Sequence, residues 1–174
     1  MGKSVMLSIR PKWVEKIANG EKTIEVRKTR PKLQTPFKCY IYCTQPKYPH
    51  EDFILTDYPK PQFYGGGKVI GEFTCDQFWI GTPHNTNLLF CMAACMDGFD
   101  TEKYAKGKTL YGWHISDLRI YDTPRELSEF QRATDPCDSC HAEYTWECTD
   151  CKKIGGNIKR APQSWCYVEA MKDE

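Results

Sequence analysis

Charged side chains that could bind a ligand or catalyse a reaction are grouped in residues 20–27, GEKTIEVR. Glu25 and Arg27 are two residues apart, so on a strand their side chains project from the same face, and Lys22 lies in the turn before it. An arginine binds a phosphate or carboxylate through two parallel hydrogen bonds, and a lysine supplies a point charge. A carboxylate between two cations stays ionised and accepts hydrogen bonds, for instance from a nucleobase amine. The spacing indicates a site for a polar or anionic ligand; a surface strand with weak salt bridges is the alternative.

The same residues permit catalysis. Burial and the neighbouring Arg27 would lower the pKa of Lys22, which makes its amine a candidate base. Glu25 would then relay protons. If the protein is an enzyme, Lys22 and Glu25 are the predicted catalytic residues.

A second chemical motif is a pair of CxxC sequences separated by seven residues. Each CxxC places two thiolates on one tight turn, and two such turns complete a tetrahedral site of four sulfurs, which zinc prefers. Four protein ligands leave no open position, so the zinc would be structural. A redox pair or unligated thiols are the alternatives. The predicted metal ligands are Cys137, Cys140, Cys148 and Cys151.

The charge of the chain is concentrated at one end. The net charge is only +1, from 24 basic and 23 acidic residues, yet residues 1–32 carry nine basic and three acidic side chains. A focused basic segment on a nearly neutral protein favours a local anion site over a general polyelectrolyte binder. A solvated lysine-rich face is the competing interpretation.

Composition excludes several classes of protein. No apolar run approaches the roughly 20 residues that span a bilayer, so a membrane protein is excluded. The first residues lack the apolar stretch and small-residue cleavage site of a signal peptide. Without export, ten cysteines are thiols or metal ligands more readily than a disulfide framework, so a cytoplasmic protein is expected.

Short strands and helices must position these groups. Alternating and apolar patterns predict strands, and residues at helical spacing with capping residues predict helices. A glycine within the pattern at 68–75 suggests a bulge. The predicted strands cover residues 5–9, 23–28, 38–44, 68–75, 114–121 and 164–169, and the pattern at 114–121 is interrupted. The predicted helices cover residues 11–20, 85 or 87 to 96, 101–105, and a turn or two within 124–130.

The organisation is that of one domain over residues 1–174, with the cysteine-rich segment 134–156 inserted as a small zinc knuckle. Its strands do not alternate regularly with helices, and no internal repeat is present. This pattern favours a small barrel or an α+β fold.

Several motifs resemble a known family. LSIRP at residues 7–11 and the GxKxxExR pattern that includes Lys22, Glu25 and Arg27 resemble the opening of ASCH domains, a branch of the PUA-like superfamily. VIGEF (69–73), HISDL (114–118) and PQSWCYV (162–168) resemble later strands of bacterial and phage-type members. The resemblance implies an α+β protein: a small PUA-like β-barrel with short flanking helices. The zinc-knuckle insertion of four cysteines, predicted from the CxxC spacing, departs from the minimal ASCH domain.

The resemblance also implies a function. ASCH domains are associated with binding RNA or nucleotides, so RNA, a nucleotide or a modified nucleoside is the expected partner, held in a basic cleft with aromatic stacking. The predicted ligand-binding residues are Arg10, Lys12, Lys22, Glu25, Arg27, Ser164, Trp165 and Tyr167. Trp165 or Tyr167 would offer the stacking surface; a core position is the alternative for Trp165, because alternate residues of a barrel strand point inward.

An enzyme is the alternative. Some ASCH proteins resemble amidohydrolases that act on an acylated cytidine with a lysine and a threonine three residues later; Lys22 matches the lysine, but Glu25 stands at the threonine position. A hydrolase acting on a nucleoside amide or on RNA is therefore the second hypothesis, and a protein-interaction adaptor built on the zinc knuckle is the third.

Overall fold

The structure is a computed structural model that describes residues 2–45, 65–82, 87–133 and 156–171. Within these ranges the chain forms ten strands and three α-helices. The strands are β1 Lys3–Ile9, β2 Ile24–Arg27, β3 Phe37–Cys43, β4 Lys68–Cys75, β5 Phe78–Gly81, β6 Leu110–His114, β7 Ser116–Arg125, β8 Gln131–Arg132, β9 Gly156–Asn157 and β10 Trp165–Glu169. The helices are α1 Pro11–Ala18, α2 Leu88–Ala94 and α3 Gly98–Ala105, and a 3₁₀ turn covers Leu127–Glu129.

Strand β1 lies at the middle of a seven-stranded sheet of order β7-β4-β3-β1-β10-β8-β9. It pairs in parallel with β3 and antiparallel with β10. Both faces of β1 are covered: Val5, Leu7 and Ile9 enter one apolar core, and Met6 enters a second core. A strand buried on both faces has an almost continuous apolar sequence, and VMLSI follows that rule.

A second sheet, of order β2-β6-β5, holds the charged motif. Trp113 of β6 packs into the core that also contains Val5 and Leu7 of β1. On β2, Ile24 and Val26 share a third apolar core with residues of α2 and α3. All four residues of β2 are buried, so its polar face is enclosed as completely as its apolar face.

Helix α1 determines the position of the turn that carries Lys22. Pro11 begins the helix, where its fixed φ and missing N–H cost nothing. Val14 and Ile17 are buried on its inner face. The chain leaves the helix through Gly20, whose φ of +76° belongs to the left-handed region that glycine adopts easily.

Much of the predicted element order is confirmed. The strand over residues 68–75 is β4 in full, and the helix begins at Pro11 as predicted. The suggested bulge in β4 is also confirmed, because in its ladder with β3 the adjacent residues Tyr42 and Ile41 pair with Val69 and Gly71, which leaves one extra residue on β4. A Cβ on Gly71 would lie only 2.5 Å from the carbonyl oxygen of Arg119, so glycine permits this close approach of two strands.

Two further predictions are confirmed in part. The interruption expected in the strand pattern over residues 114–121 is present, because β6 ends at His114 and β7 begins at Ser116, with Asp117 in the left-handed region at φ 49°. The helical turn expected within residues 124–130 covers only Leu127–Glu129, because β7 continues up to Arg125. Strand β7 is an outer strand of its sheet, where Pro124 is tolerated.

The architecture is a mixed α+β fold that consists mostly of sheet with three helices in the described ranges. The sequence predicts a small barrel. Over the described residues, however, the ladders form two sheets and no closed barrel, because the outer strands β7 and β9 pair with no further strand there.

Candidate functional site

Lys22, Glu25 and Arg27 converge as one buried cluster, which we call the charged floor. Their exposed fractions are 3%, 5% and 9%, so the alternative of a solvated surface strand does not apply. Glu25 Oε1 lies 3.0 Å from Arg27 Nη2, and Glu25 Oε2 lies 3.6 Å from Lys22 Nζ. A single carboxylate therefore stands between two cations.

Backbone carbonyls hold both cations of the charged floor in place. Arg27 Nη2 donates a hydrogen bond to the carbonyl oxygen of Ser8 in β1, at 2.7 Å. Lys22 Nζ donates to the carbonyl oxygen of Ala94, at 2.8 Å. Ala94 is the last residue of α2, where carbonyls lack helical partners and the helix dipole favours a cation. The floor thus ties the turn after α1 to β1 and α2.

The environment of Lys22 changes its acid–base behaviour. Burial lowers the pKa of Lys22 below its ordinary value of 10.5, and the nearby Glu25 carboxylate opposes that shift. The Trp13 ring also faces the amine, with its centroid 5.0 Å from Nζ. A lysine with a lowered pKa gives up its proton more readily than an exposed lysine.

Two buried polar atoms of the floor lack hydrogen-bond partners among the described residues. They are Glu25 Oε2, an acceptor, and Arg27 Nε, a donor. Most buried polar atoms in folded proteins form hydrogen bonds, so these two atoms, which the described residues leave unpaired, are free to form a hydrogen bond with another molecule. Here both belong to side chains that border a cavity.

The charged floor opens into a cavity of about 840 Å³. This volume is toward the upper end of the roughly 300–1,000 Å³ range of ligand pockets. Six cationic side chains and two carboxylates are found among its described lining residues. Since the cations outnumber the carboxylates, the cavity favours an anionic ligand.

Two walls and a lip surround the floor. The first wall consists of Arg10, Lys12 and Trp13, from the start of α1. The second, which we call the α3 wall, consists of Asp100, Lys103, Tyr104 and Lys106. The lip consists of residues 161–164, before β10, and the Ser8 hydroxyl secures it by donating a 2.6 Å hydrogen bond to the carbonyl oxygen of Pro162.

Most of the predicted ligand-binding residues border this one cavity. Arg10 and Lys12 are exposed at its first wall, and Ser164 lies at its lip. The predicted residues that line the cavity are Arg10, Lys12, Lys22, Glu25, Arg27 and Ser164.

Trp165 and Tyr167, the candidates for the stacking surface, lie elsewhere, and for Trp165 the alternative of a core position applies. On β10 they pair with Leu7 and Val5, and both rings pack against the same core as those residues. Trp165 Nε1 donates a 3.0 Å hydrogen bond to Thr29 Oγ1. The backbone N–H of Lys32 donates to the Tyr167 hydroxyl at 2.8 Å. Both aromatic residues therefore anchor the segment after β2 and do not line the cavity.

The aromatic residues that do line the cavity escaped the sequence interpretation. Trp13 shares a helical spacing with Val14 and Ile17, which suggests core, yet its ring is only half-buried and borders the cavity. The Lys12 ammonium lies 4.4 Å from the centroid of this ring. Tyr104 belongs to the α3 wall and borders the cavity, with the Lys28 ammonium 4.9 Å from its ring centroid. The adjacent Lys–Trp and Lys–Tyr sequences are the signal that could have found them.

The predicted zinc ligands lie outside the described residues. Cys137, Cys140, Cys148 and Cys151 all fall between residues 134 and 155. In the described ranges, no group of three or more His, Cys, Asp or Glu side chains could hold a metal ion. In the same ranges, no helix has the length and apolar character needed to cross a membrane.

Comparison with known proteins identifies the family. No curated protein matches the chain. The fold is similar to the crystal structure of ASCH from Zymomonas mobilis, with a TM-score of 0.60 and 16% identity over 95% of this chain and 87% of that chain. A mutant of the same protein gives the same TM-score and identity over 90% of that chain. The family model of the ASCH domain matches residues 7–155, most of the sequence, and the chain therefore belongs to the ASCH domain family.

Proposed function

We propose that this protein binds RNA or a nucleotide in the cavity above the charged floor. The observation that carries the proposal is the composition of the cavity: six cations face two carboxylates around about 840 Å³, next to an accessible tryptophan. ASCH domains are generally associated with RNA binding, which agrees with this chemistry. The net charge of +1 favours a nucleotide, a modified nucleoside or a short RNA over a long duplex, whose affinity comes from many phosphate contacts.

The first wall supplies both parts of such a site. Arg10 and Lys12 are exposed cations that can approach a phosphate, and Trp13 offers a ring on which a base can stack. Lys12 now lies over that ring. Because Lys12 is exposed, its ammonium can move to the phosphate, and the base can then stack on the Trp13 ring in the position that the ammonium leaves. Arg27 and Glu25, at the floor, would then face the edge of the base.

Binding measured by calorimetry tests this proposal. The probes are 5′-mononucleotides and a short single-stranded RNA, titrated at several salt concentrations. We expect affinity that falls as salt rises, and a loss of about tenfold or more in an Arg10→Ala/Lys12→Ala variant, which removes two phosphate-binding charges. The matched control is Lys108→Ala/Arg119→Ala, which removes two exposed cations outside the cavity. Equal affinity of the Arg10→Ala/Lys12→Ala variant and the natural protein would contradict the proposal.

A hydrolase is the second candidate, and the environment of Lys22 favours it. This lysine is 3% exposed, its pKa is lowered by burial, and Glu25 Oε2 lies 3.6 Å from its amine. Lys22 would act as the base and Glu25 as the proton relay on a nucleoside amide or an RNA phosphodiester. The test is incubation with N-acylated nucleosides and with RNA. Products that form with the natural protein and disappear with a folded Lys22→Met variant would establish turnover.

We also propose that the four cysteines of the two CxxC pairs bind one structural zinc ion. The support is the sequence spacing alone, since two closely spaced CxxC turns are typical of zinc sites of four thiolates. Such an ion would contribute folding energy to its own segment and take no part in chemistry at the cavity.

A further inference from the structure

The α3 wall gives the cavity a second set of ligand-binding groups. Lys103 and Lys106 are exposed cations, three residues apart, that both border the cavity. Tyr104, which stands between them in the sequence, borders it as well and is 36% exposed. An aromatic ring flanked by cations is the arrangement that holds a nucleotide in single-stranded nucleic acid sites.

This arrangement repeats the chemistry of the first wall. There, Trp13 has the ammonium groups of Lys12 and Lys22 within 4.4 and 5.0 Å of its ring centroid. On the α3 wall, Tyr104 has the ammonium of Lys28 at 4.9 Å. Helices α1 and α3, together with their capping residues Arg10 and Lys106, thus each bring an aromatic ring and two cations to one cavity.

One nucleotide needs only one such unit. A single base stacked on Trp13, with its phosphate at Arg10 and Lys12, leaves the α3 wall without a function in binding. The cavity volume of about 840 Å³ lies toward the upper end of the roughly 300–1,000 Å³ range of ligand pockets, which is compatible with a ligand larger than one nucleotide. A second nucleotide of the same strand would place its base near Tyr104 and its phosphate near Lys103 and Lys106.

We infer that the cavity selects single-stranded oligonucleotides of two or more nucleotides, with the α3 wall as the subsite for the second nucleotide. The inference rests on the proposed function, because it assumes that a first nucleotide binds at the first wall. Asp100 belongs to the same wall and opposes a phosphate close to it. The second phosphate is therefore expected on the side of Lys103 and Lys106.

The α3 wall also has a purely structural explanation. Lys103 lies in the last turn of α3, and Lys106 caps its end, where cations interact favourably with the helix dipole. Under that explanation their removal lowers the melting temperature of the protein and leaves the preference for ligand length unchanged.

Comparison of mononucleotides with dinucleotides separates these outcomes. Calorimetry with cytidine and adenosine 5′-monophosphates and the corresponding 5′-phosphorylated dinucleotides gives the affinity ratio of the natural protein. We expect the dinucleotides to bind about tenfold more tightly or better. In Lys103→Ala/Lys106→Ala and in Tyr104→Ala that ratio should fall toward one, because dinucleotide affinity decreases more than mononucleotide affinity. Lys108→Ala, which removes an exposed lysine just beyond the wall, should leave the ratio intact.

Four other results of these measurements would each overturn the inference. Equal binding of mononucleotides and dinucleotides by the natural protein removes the second subsite but leaves the proposed function standing. An equal loss for both ligands in Lys103→Ala/Lys106→Ala removes the selectivity for length. Absence of binding for every ligand overturns the proposed function and the inference together. A lowered melting temperature with an unchanged ratio assigns the two lysines to helix stability.

Discussion

Glu25 Oε1 accepts a charged contact from Arg27 Nη2 at 3.0 Å in a region that solvent barely reaches. Glu25 and Arg27 are two positions apart on β2, so their side chains project from the same face of the strand and meet without an intervening turn or loop. The same carboxylate faces Lys22 across 3.6 Å. Its negative charge is therefore shared by two buried cations, and the cluster depends on it.

Replacement of Glu25 with Gln should destabilise the protein by about 3–5 kcal/mol, because two buried cations then lack their counter-charge. Urea denaturation followed by circular dichroism measures the free energy of unfolding. A Glu25→Gln/Lys22→Met variant should recover part of the loss, since one of the unpaired cations is gone.

The matched control is the ion pair between Lys16 and Glu21. Its atoms approach to 2.7 Å, closer than those of Lys22 and Glu25, but both side chains are exposed. Exposed pairs contribute little, so Glu21→Gln should leave the unfolding curve nearly unchanged. Equal effects of Glu21→Gln and Glu25→Gln would show that burial does not control the strength of these pairs.

Alkaline pH should weaken the fold through Cys75. Burial raises the pKa of this thiol from 9.0 to about 12. In the unfolded chain the thiol loses its proton near pH 9, while the folded protein keeps it, so stability declines as pH rises between these values. The decline approaches about 1.4 kcal/mol per pH unit for one thiol.

Unfolding free energies at pH 8, 9 and 10 check this dependence on pH. A Cys75→Ala variant should lose stability less steeply than the natural protein over the alkaline part of that series. Identical slopes for the two proteins would mean that Cys75 titrates alike in the folded and unfolded chains.

Gly71→Ala should destabilise the protein by about 1–3 kcal/mol, the usual cost of forcing extra atoms into a packed region. The new Cβ would meet the Arg119 carbonyl oxygen at 2.5 Å, and backbone atoms cannot move aside easily. Gly98→Ala is the comparison, because a Cβ at that helical position meets nothing within 4 Å among the described residues. The two melting temperatures, measured side by side, should differ clearly; a match would mean that β4 and β7 do not approach each other this closely.

One zinc ion per chain is expected from the two CxxC pairs. Elemental analysis of protein purified without a metal-binding tag should find zinc at equal molar ratio, and a Cys137→Ser/Cys140→Ser variant should lose it. Cys166→Ser, which alters a cysteine of β10, should retain the metal. Natural protein without zinc would refute the zinc site.

Local sequence patterns predicted those strands and helices that depend mainly on residues adjacent in the sequence. The alternation in β2 and the proline at the start of α1 were sufficient to group Lys22, Glu25 and Arg27. Their burial could not be predicted, because it depends on α2 and β1 closing over a face that looks solvent-exposed in sequence.

The positions of the aromatic residues also could not be predicted from local sequence patterns. Trp165 and Tyr167 stand in a motif that resembles a binding strand, but pairing of β10 with β1 directs both rings against the core. Trp13 has the spacing of a core residue, yet its position at the edge of α1 leaves the ring beside the cavity. Side-chain direction in both cases is decided by tertiary neighbours that are distant in the sequence.

The cavity is lined by residues that lie far apart in the sequence. Its lip, residues 161–164, is bonded through Pro162 to Ser8, a separation of 154 positions. During synthesis the charged floor and both walls are therefore complete before the lip is made, although Ser8, whose hydroxyl secures the lip, is translated before all of them. Fragments that lack residues 161–164 should accordingly lack one border of the cavity.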